Sequence, residues 1–309
     1  MLCPFYSITQ LCYYEAMKLG NYEIVEPAPV LNNPHAIVVL RPWTDAGNSA
    51  TLALSALETQ LSAQQLGKIS RPGTFFDFTR YRPVARYNMG SREIIIPNTI
   101  VTCAKRENGP DLIFINMLEP NIFAERYISS VVQLLKHFGV RRYCLLGSMY
   151  DMVPHTRPLL VTGSILGTNA AEDLKKTGLK SSPYEGPTTI CSLISQEVVK
   201  LGMQTINIMV RLPQYTRLEK DYSGQVRLLE VIDCLYGIRI EDDILLRAAQ
   251  QIKDIDAEVN RSRKMKDVVT HLENYYDAQS VTRQKKETPP LSPEIEDFLK
   301  EMENRFRQD

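Results

Sequence analysis

Short runs of branched apolar residues, each followed by a longer stretch with helical spacing, recur from about residue 35 to residue 210. The run Ala36-Ile-Val-Val-Leu40 is apolar at every position and so has no face to offer water. It reads as a strand buried on both sides, which requires helices above and below the sheet. Asp111-Leu-Ile-Phe-Ile-Asn-Met-Leu118, Tyr143-Cys-Leu-Leu146, Leu159-Leu-Val-Thr162 and Thr205-Ile-Asn-Ile-Met-Val210 read as further strands. A β-rich, irregular block at 75–102 contains one more, Arg92-Glu-Ile-Ile-Ile-Pro97.

Between them lie amphipathic helices. One spans 48–66, with Ala50, Ala53, Leu54, Leu57 and Leu61 on its stripe, Asn48 as its cap and Gly67 as its close. A second runs over 122–138, with Tyr127, Ile128, Val131, Leu135 and Phe138 buried and Gly139 closing it. A short helix is expected at 169–177, and Tyr184-Glu-Gly-Pro-Thr-Thr-Ile190 opens another that buries Ile190, Leu193, Ile194, Val198 and Leu201. This alternation predicts an α/β fold with a mostly parallel sheet and helices on both faces.

After Gly237 the strands stop, and 242–278 is helical, with Leu245, Ala248, Ile252, Ile255 and Val259 on one stripe. That stripe can pack back onto the sheet domain or form an intermolecular seam. Residues 280–293 read as a polar, Pro-bearing linker to a short amphipathic helix carrying Ile295, Phe298, Leu299, Met302 and Phe306. The chain therefore divides into an N-terminal extension (1–20), an α/β core (21–240), a helical subdomain (241–279) and a linker with a terminal helix (280–309).

With Lys+Arg 36 against Asp+Glu 36 the formal net charge is zero, which argues against a nucleic-acid binder, and 44% hydrophobic residues exclude a wholly disordered chain. The six cysteines include no C-x-x-C pair. Cys103, Cys144, Cys191 and Cys234 sit in apolar segments and read as small hydrophobes, and the four histidines show no ligand spacing. No metal is implied. The N-terminus lacks the basic and cleavage regions of a signal peptide, and no run approaches the ~20 apolar residues of a membrane span. A cytoplasmic protein with no membrane contact is expected. There is no G-x-x-x-x-G-K-[ST], no G-x-G-x-x-G after the first strand and no G-x-S-x-G.

In a sheet of this kind ligands bind beyond the carboxyl ends of the strands. Trp43 and Asp45 follow the first strand, Glu119 follows Leu118, and His155 and Arg157 follow the strand ending at Leu146. Arg82 lies in Arg80-Tyr-Arg-Pro83, while Glu185, Gly186 and Thr188 stand at a helix start, where free N–H groups favour an anion. Each has a plainer reading. Trp43 can simply pack; Asp45 can be a turn residue feeding the helix; Glu119 can pair with Arg80, Arg82 or Arg157. His155 can be a structural hydrogen-bonder, and Gly186-Pro187 a helix start without a ligand.

The segments Pro42-Trp-Thr-Asp-Ala-Gly-Asn48, Phe76-Asp-Phe-Thr-Arg-Tyr-Arg-Pro83, Leu118-Glu-Pro120, Pro154-His-Thr-Arg-Pro158, Tyr184-Glu-Gly-Pro-Thr188 and Leu212-Pro-Gln-Tyr215 occur in one order over roughly 35–240. In them the chain resembles the proteasome assembly chaperone family, bacterial and archaeal branch, a group sometimes labelled ATP-grasp. No glycine-rich nucleotide loop with a following lysine supports that label here. The resemblance implies a three-layer α/β/α sandwich similar to phosphorylases and hydrolases, a C-terminal helical segment, and homo-oligomers, with trimers among bacterial relatives. It implies no settled reaction; eukaryotic relatives act as non-catalytic scaffolds in building the proteasome core, and no cofactor is expected. Relatives that dock on the proteasome by their tails tend to end hydrophobic-Tyr-any, and Phe306-Arg-Gln-Asp309 departs from that pattern.

Two functions follow. One is an oligomeric binding or assembly protein, whose terminal helix can seat in a partner's groove or pack on its own domain. The other is a small-molecule enzyme of phosphorylase, hydrolase or ATP-dependent carboligase type, acting on a nucleoside- or nucleotide-like substrate. There Asp45 and Glu119 would contact substrate, Arg82 and Arg157 would hold an anion, and His155 would move a proton.

Overall fold

A computed structural model describes residues 16–88, 90–167, 170–181 and 184–282. The strand expected at 36–40 is β3 (His35–Arg41), and its alternation sets the architecture. Ala36, Val38 and Leu40 point into one hydrophobic core, Ile37 and Val39 into the other. The first core is completed by α2 (Ala124–His137) and α4 (Ile190–Lys200), through side chains such as Tyr127, Val131, Leu134 and Ile194. The second is completed by α1 (Ser49–Gln60) and α5 (Tyr222–Tyr236), through Ala53, Leu54, Leu57, Leu228 and Ile232. Each such fully buried aliphatic side chain contributes roughly 1.5–3 kcal/mol relative to leaving it in water.

The sheet has ten strands in the order β1-β2-β4-β7-β8-β3-β9-β12-β10-β11. These are β1 (Ala16–Leu19), β2 (Tyr22–Val25), β4 (Gln64–Ile69), β7 (Ile100–Ala104), β8 (Leu112–Leu118), β9 (Arg142–Asp151), β10 (Val161–Leu166), β11 (Lys180–Ser181) and β12 (Gln204–Pro213), beside β3. The central run β8-β3-β9-β12 is parallel, as the buried, doubly apolar strands imply. Both flanks are mostly antiparallel, β1 to β8 on one side and β10 against β12 on the other, so the sheet is mixed. Residues 16–19, expected in an N-terminal extension, are the edge strand β1.

The helix expected over 48–66 ends at Gln60. Ser62 adopts a left-handed φ of 50° and turns the chain into β4, and Gly67 closes no helix. A side chain at Gly67 would meet the Glu23 carbonyl on the adjacent strand at 2.7 Å. Asn48 makes no side-chain cap either; its amide donates to the Glu219 carbonyl at 2.8 Å, and Asp45 caps α1 instead. Cys234 is exposed on α5, unlike Cys103, Cys144 and Cys191, which are buried.

The irregular block at 75–102 holds a hairpin of β5 (Val84–Asn88) and β6 (Ser91–Ile95), paired only with each other and exposed at every residue. The long helical stretch is two helices, α6 (Asp242–Arg261) and α7 (Arg263–Thr282), broken where Ser262 is extended. Ile244 and Ala248 of α6 are buried, while Leu245 and Leu246 face outward. A short helix, α3 (Ala170–Thr177), lies beside β10. The expected linker from residue 283 onward and the terminal helix with Ile295, Phe298, Leu299, Met302 and Phe306 lie outside the described residues.

Candidate functional site

At the carboxyl ends of β3 and β9 the chain encloses a cavity of about 560 Å3. Its walls are the loop after β3, the outer halves of β9, β10 and β12, and the segment 184–189 with the head of α4. The loop after β3 is fixed by its backbone. Ser148 donates its N–H to the Thr44 carbonyl (2.8 Å) and its hydroxyl to the Ala46 carbonyl (2.7 Å), stapling the loop onto β9. Gly47 sits at φ 58°, and a Cβ there would lie 2.7 Å from that of Asp221, so this position requires glycine.

Asp45 is buried and turned toward α1. Its Oδ1 accepts from the N–H groups of Ala50 (2.8 Å) and Thr51 (3.3 Å), and its Oδ2 from the Thr51 hydroxyl. Burial pushes its carboxyl above the usual range despite these bonds and the nearby Arg41 guanidinium. Glu119 does the same for α4. Its Oε1 accepts from the Ile190 N–H at 3.0 Å, its Oε2 is buried with no hydrogen-bond partner, and burial raises its carboxyl. Thus the two helix starts nearest the cavity each carry a carboxylate from the protein itself.

The residues singled out in the sequence separate into groups. Trp43, Asp45 and Thr188 line the cavity together, Trp43 with 61% of its surface exposed. Glu185 and Gly186 lie in the exposed segment between the lining residues Tyr184 and Pro187 but do not line it themselves. Arg82 is exposed on the approach to the β5–β6 hairpin. His155 and Arg157 face the C-terminal helices. The His155 ring bonds the Tyr215 hydroxyl through Nδ1 and Asp256 on α6 through Nε2 (3.0 Å). The Arg157 guanidinium reaches both carboxylate oxygens of Asp277 (3.0 and 2.8 Å) and Glu273 (3.1 Å), all on α7.

Sequence reasoning did not single out Thr162 or Asn207 in the inner polar lining. Thr162 on β10 and Asn207 on β12 line the cavity, as does Thr44 in the loop, and Thr162 Oγ1, Asn207 Oδ1 and Thr44 Oγ1 are buried without a hydrogen-bond partner. A signal existed at Asn207, a polar residue set between Ile206 and Ile208 in an otherwise apolar strand. Among the described residues no Lys, Arg or His lines the cavity. Among the described residues no group of three or more metal-ligating side chains converges, and no helix is long and apolar enough to cross a membrane. The polar side chains of the described lining residues are hydroxyls and an amide, with one carboxylate, Asp45, bonded to the head of α1.

Fold and site together define a mixed α/β protein with a pocket at the carboxyl ends of its parallel strands. Residues 39–259 match the PAC2 family, and the chain belongs to that family. Solved structures agree in fold. A Mycobacterium tuberculosis protein of unknown function, Rv2714, superposes with a TM-score of 0.76 at 24% identity over 88% of this chain and 94% of its own. The M. tuberculosis proteasome-assembly chaperone homologue Rv2125 gives 0.66 at 21% identity over 76% and 99%. Pyrococcus furiosus PbaB, an archaeal proteasome activator, gives 0.60 at 15% identity over 78% and 99%. No curated protein matches. Nothing in these likenesses supports an ATP-grasp label.

Proposed function

We propose that the protein is a non-catalytic, oligomeric binding and assembly factor of the proteasome assembly chaperone type. The observation that carries this reading is membership of the PAC2 family, joined to the likeness in fold to a proteasome-assembly chaperone homologue and to a proteasome activator. The fate of the charged residues supports it too: Glu119 is engaged with α4, and His155 and Arg157 with α6 and α7, so each holds an element in place. In this reading the fold is a three-layer α/β/α sandwich like that of phosphorylases and hydrolases, with α6–α7 as a helical subdomain, and the protein works in the cytoplasm.

The hairpin supports self-association. A two-stranded ribbon is at best marginally stable alone in water, and this one exposes Val84, Tyr87, Ile94 and Ile95. A second copy of the chain is its natural cover, and a trimer is the assembly we favour. The terminal helix with Ile295, Phe298, Leu299, Met302 and Phe306 offers a further contact for a protein partner.

The test is reconstitution of the proteasome core particle from its separated subunits, from the source organism, with and without the full chain. A higher yield or rate of mature particle is expected. Equal yield and rate at stoichiometric excess would overturn the assembly role.

A further inference from the structure

Three residues that line one apolar-walled cavity, from three separate elements, each carry a buried polar atom without a protein partner: Thr44 Oγ1, Thr162 Oγ1 and Asn207 Oδ1. Thr162 is 9% exposed. It stands opposite Met209 on β12, while Asn207 stands opposite Ser164 on β10 and Leu145 on β9, so the inner polar atoms lie in adjacent rows of one sheet face. The Asn207 amide is oriented by its own bond to the Ser164 hydroxyl at 3.1 Å, which leaves its carbonyl oxygen free. Leaving a buried polar atom unmatched costs more than a made bond gains, so such atoms normally have a partner. The presence of three of them on the lining of one cavity points to a partner bound there.

The charge pattern selects its chemistry. An anionic group would be drawn to a helix start or to a cationic side chain. Both helix starts here already hold a carboxylate, Asp45 on α1 and Glu119 on α4, and among the described residues no Lys, Arg or His lines the cavity. The outer part carries the exposed rings of Trp43 and Tyr184, beside Met149 and Met209. Aromatic rings and thioethers favour a flat ring over an aliphatic chain. The cavity of about 560 Å3 is the size of a small-molecule site.

We propose that this pocket is a binding site for an uncharged nitrogen heterocycle, of nucleobase or nucleoside type, hydrogen-bonded by Thr162 and Asn207 and discriminating against the phosphorylated form of the same ligand. The proposal is independent of the assembly role, since ligand binding and core-particle yield are read separately.

Trp43 is the only tryptophan in the chain, so intrinsic fluorescence reports this site. The full chain is titrated with adenosine, guanosine, cytidine and uridine, and with their 5′-monophosphates, up to 1 mM. At least one nucleoside is expected to change Trp43 emission saturably, with its monophosphate binding at least tenfold more weakly. Thr162→Val removes the hydroxyl and keeps the shape, and it should weaken that nucleoside by about tenfold, the loss typical of one hydrogen bond. Its melting temperature should be unchanged or higher, because the unmatched atom is gone. No saturable change with any nucleoside would overturn the proposal. So would monophosphates binding as well as nucleosides, or unchanged affinity in a folded Thr162→Val protein.

Discussion

Asp45 occupies the position the sequence offered for a ligand carboxylate, yet its oxygens serve Ala50 and Thr51 at the head of α1. Removing such a cap usually costs about 0.5–2 kcal/mol. Asp45→Ala should therefore lower the unfolding free energy by roughly that amount in urea titrations, and Asp45→Asn, which keeps one acceptor, by less. His35 makes a second case at the opposite end of β3. Its ring lies 3.3 Å from the Tyr236 hydroxyl, and burial, with Arg142 and Arg106 nearby, depresses its pKa to about 4. The unfolded chain, with an ordinary imidazole near 6.5, takes up the proton first. The contribution is thus fully present above about pH 6.5 and is lost as the pH falls toward 4. A fully buried ring with this shift would correspond to about 3 kcal/mol, and the partial exposure of this one reduces that to roughly 2. His35→Gln should flatten the difference in stability between pH 7 and pH 4.5 by that margin. The sequence made Trp43, Asp45 and Thr188 legible as neighbours because all three stand where a sheet's ligands gather. It left His155 and Arg157 ambiguous because their partners, Asp256, Glu273 and Asp277, come from helices a hundred or more residues away. Thr162 was illegible, since a threonine in a strand is unremarkable until its hydroxyl is found without a partner.

Among the elements, α2 was read nearly to the residue from its stripe and terminal glycine. The α2 helix, expected at 122–138, spans Ala124–His137, and Gly139 follows it at φ 66°. The α5 helix went unread although it begins with Asp221, whose carboxylate accepts from the Gly224 N–H at 2.8 Å, and ends with Gly237 in the left-handed region. The α1 helix was drawn too long because the turn at Ser62 carries no Gly or Pro to mark it. Packing of α5 on α1 rests on a glycine for lack of space. A Cβ at Gly224 would overlap the Ser49 hydroxyl and lie 2.7 Å from Leu212 Cδ2. Gly224→Leu should force the two helices apart and cost about 1–3 kcal/mol or more in denaturant titrations, the usual range for an overfilled core. A Gly224→Leu protein of unchanged stability would show that this interface yields more readily than its contacts suggest.

For the molecule as a whole, the parallel centre of the sheet was legible because those strands are apolar on both faces. The antiparallel flanks were not: β1, β2, β4 and β7 are short, and strand direction leaves no trace in a sequence once the connection is not a helix. The β5–β6 hairpin belongs to this scale, since nothing within the chain covers its apolar residues among those described. Replacing Val84, Ile94 and Ile95 by Ser together should lower the mass observed by native mass spectrometry toward a single chain, while the far-ultraviolet circular dichroism of the body stays the same. An unaltered assembly mass would assign the subunit contact to another surface.

Two helices start beside one hollow, and each starts on an acidic side chain that the polypeptide provides for itself. Sulfate and inorganic phosphate, which settle so readily on bare helix starts, find both seats taken. Buffers and crystallisation salts that crowd comparable hollows with adventitious anions should leave this one clear, so density found there after soaking can be read directly as the soaked compound.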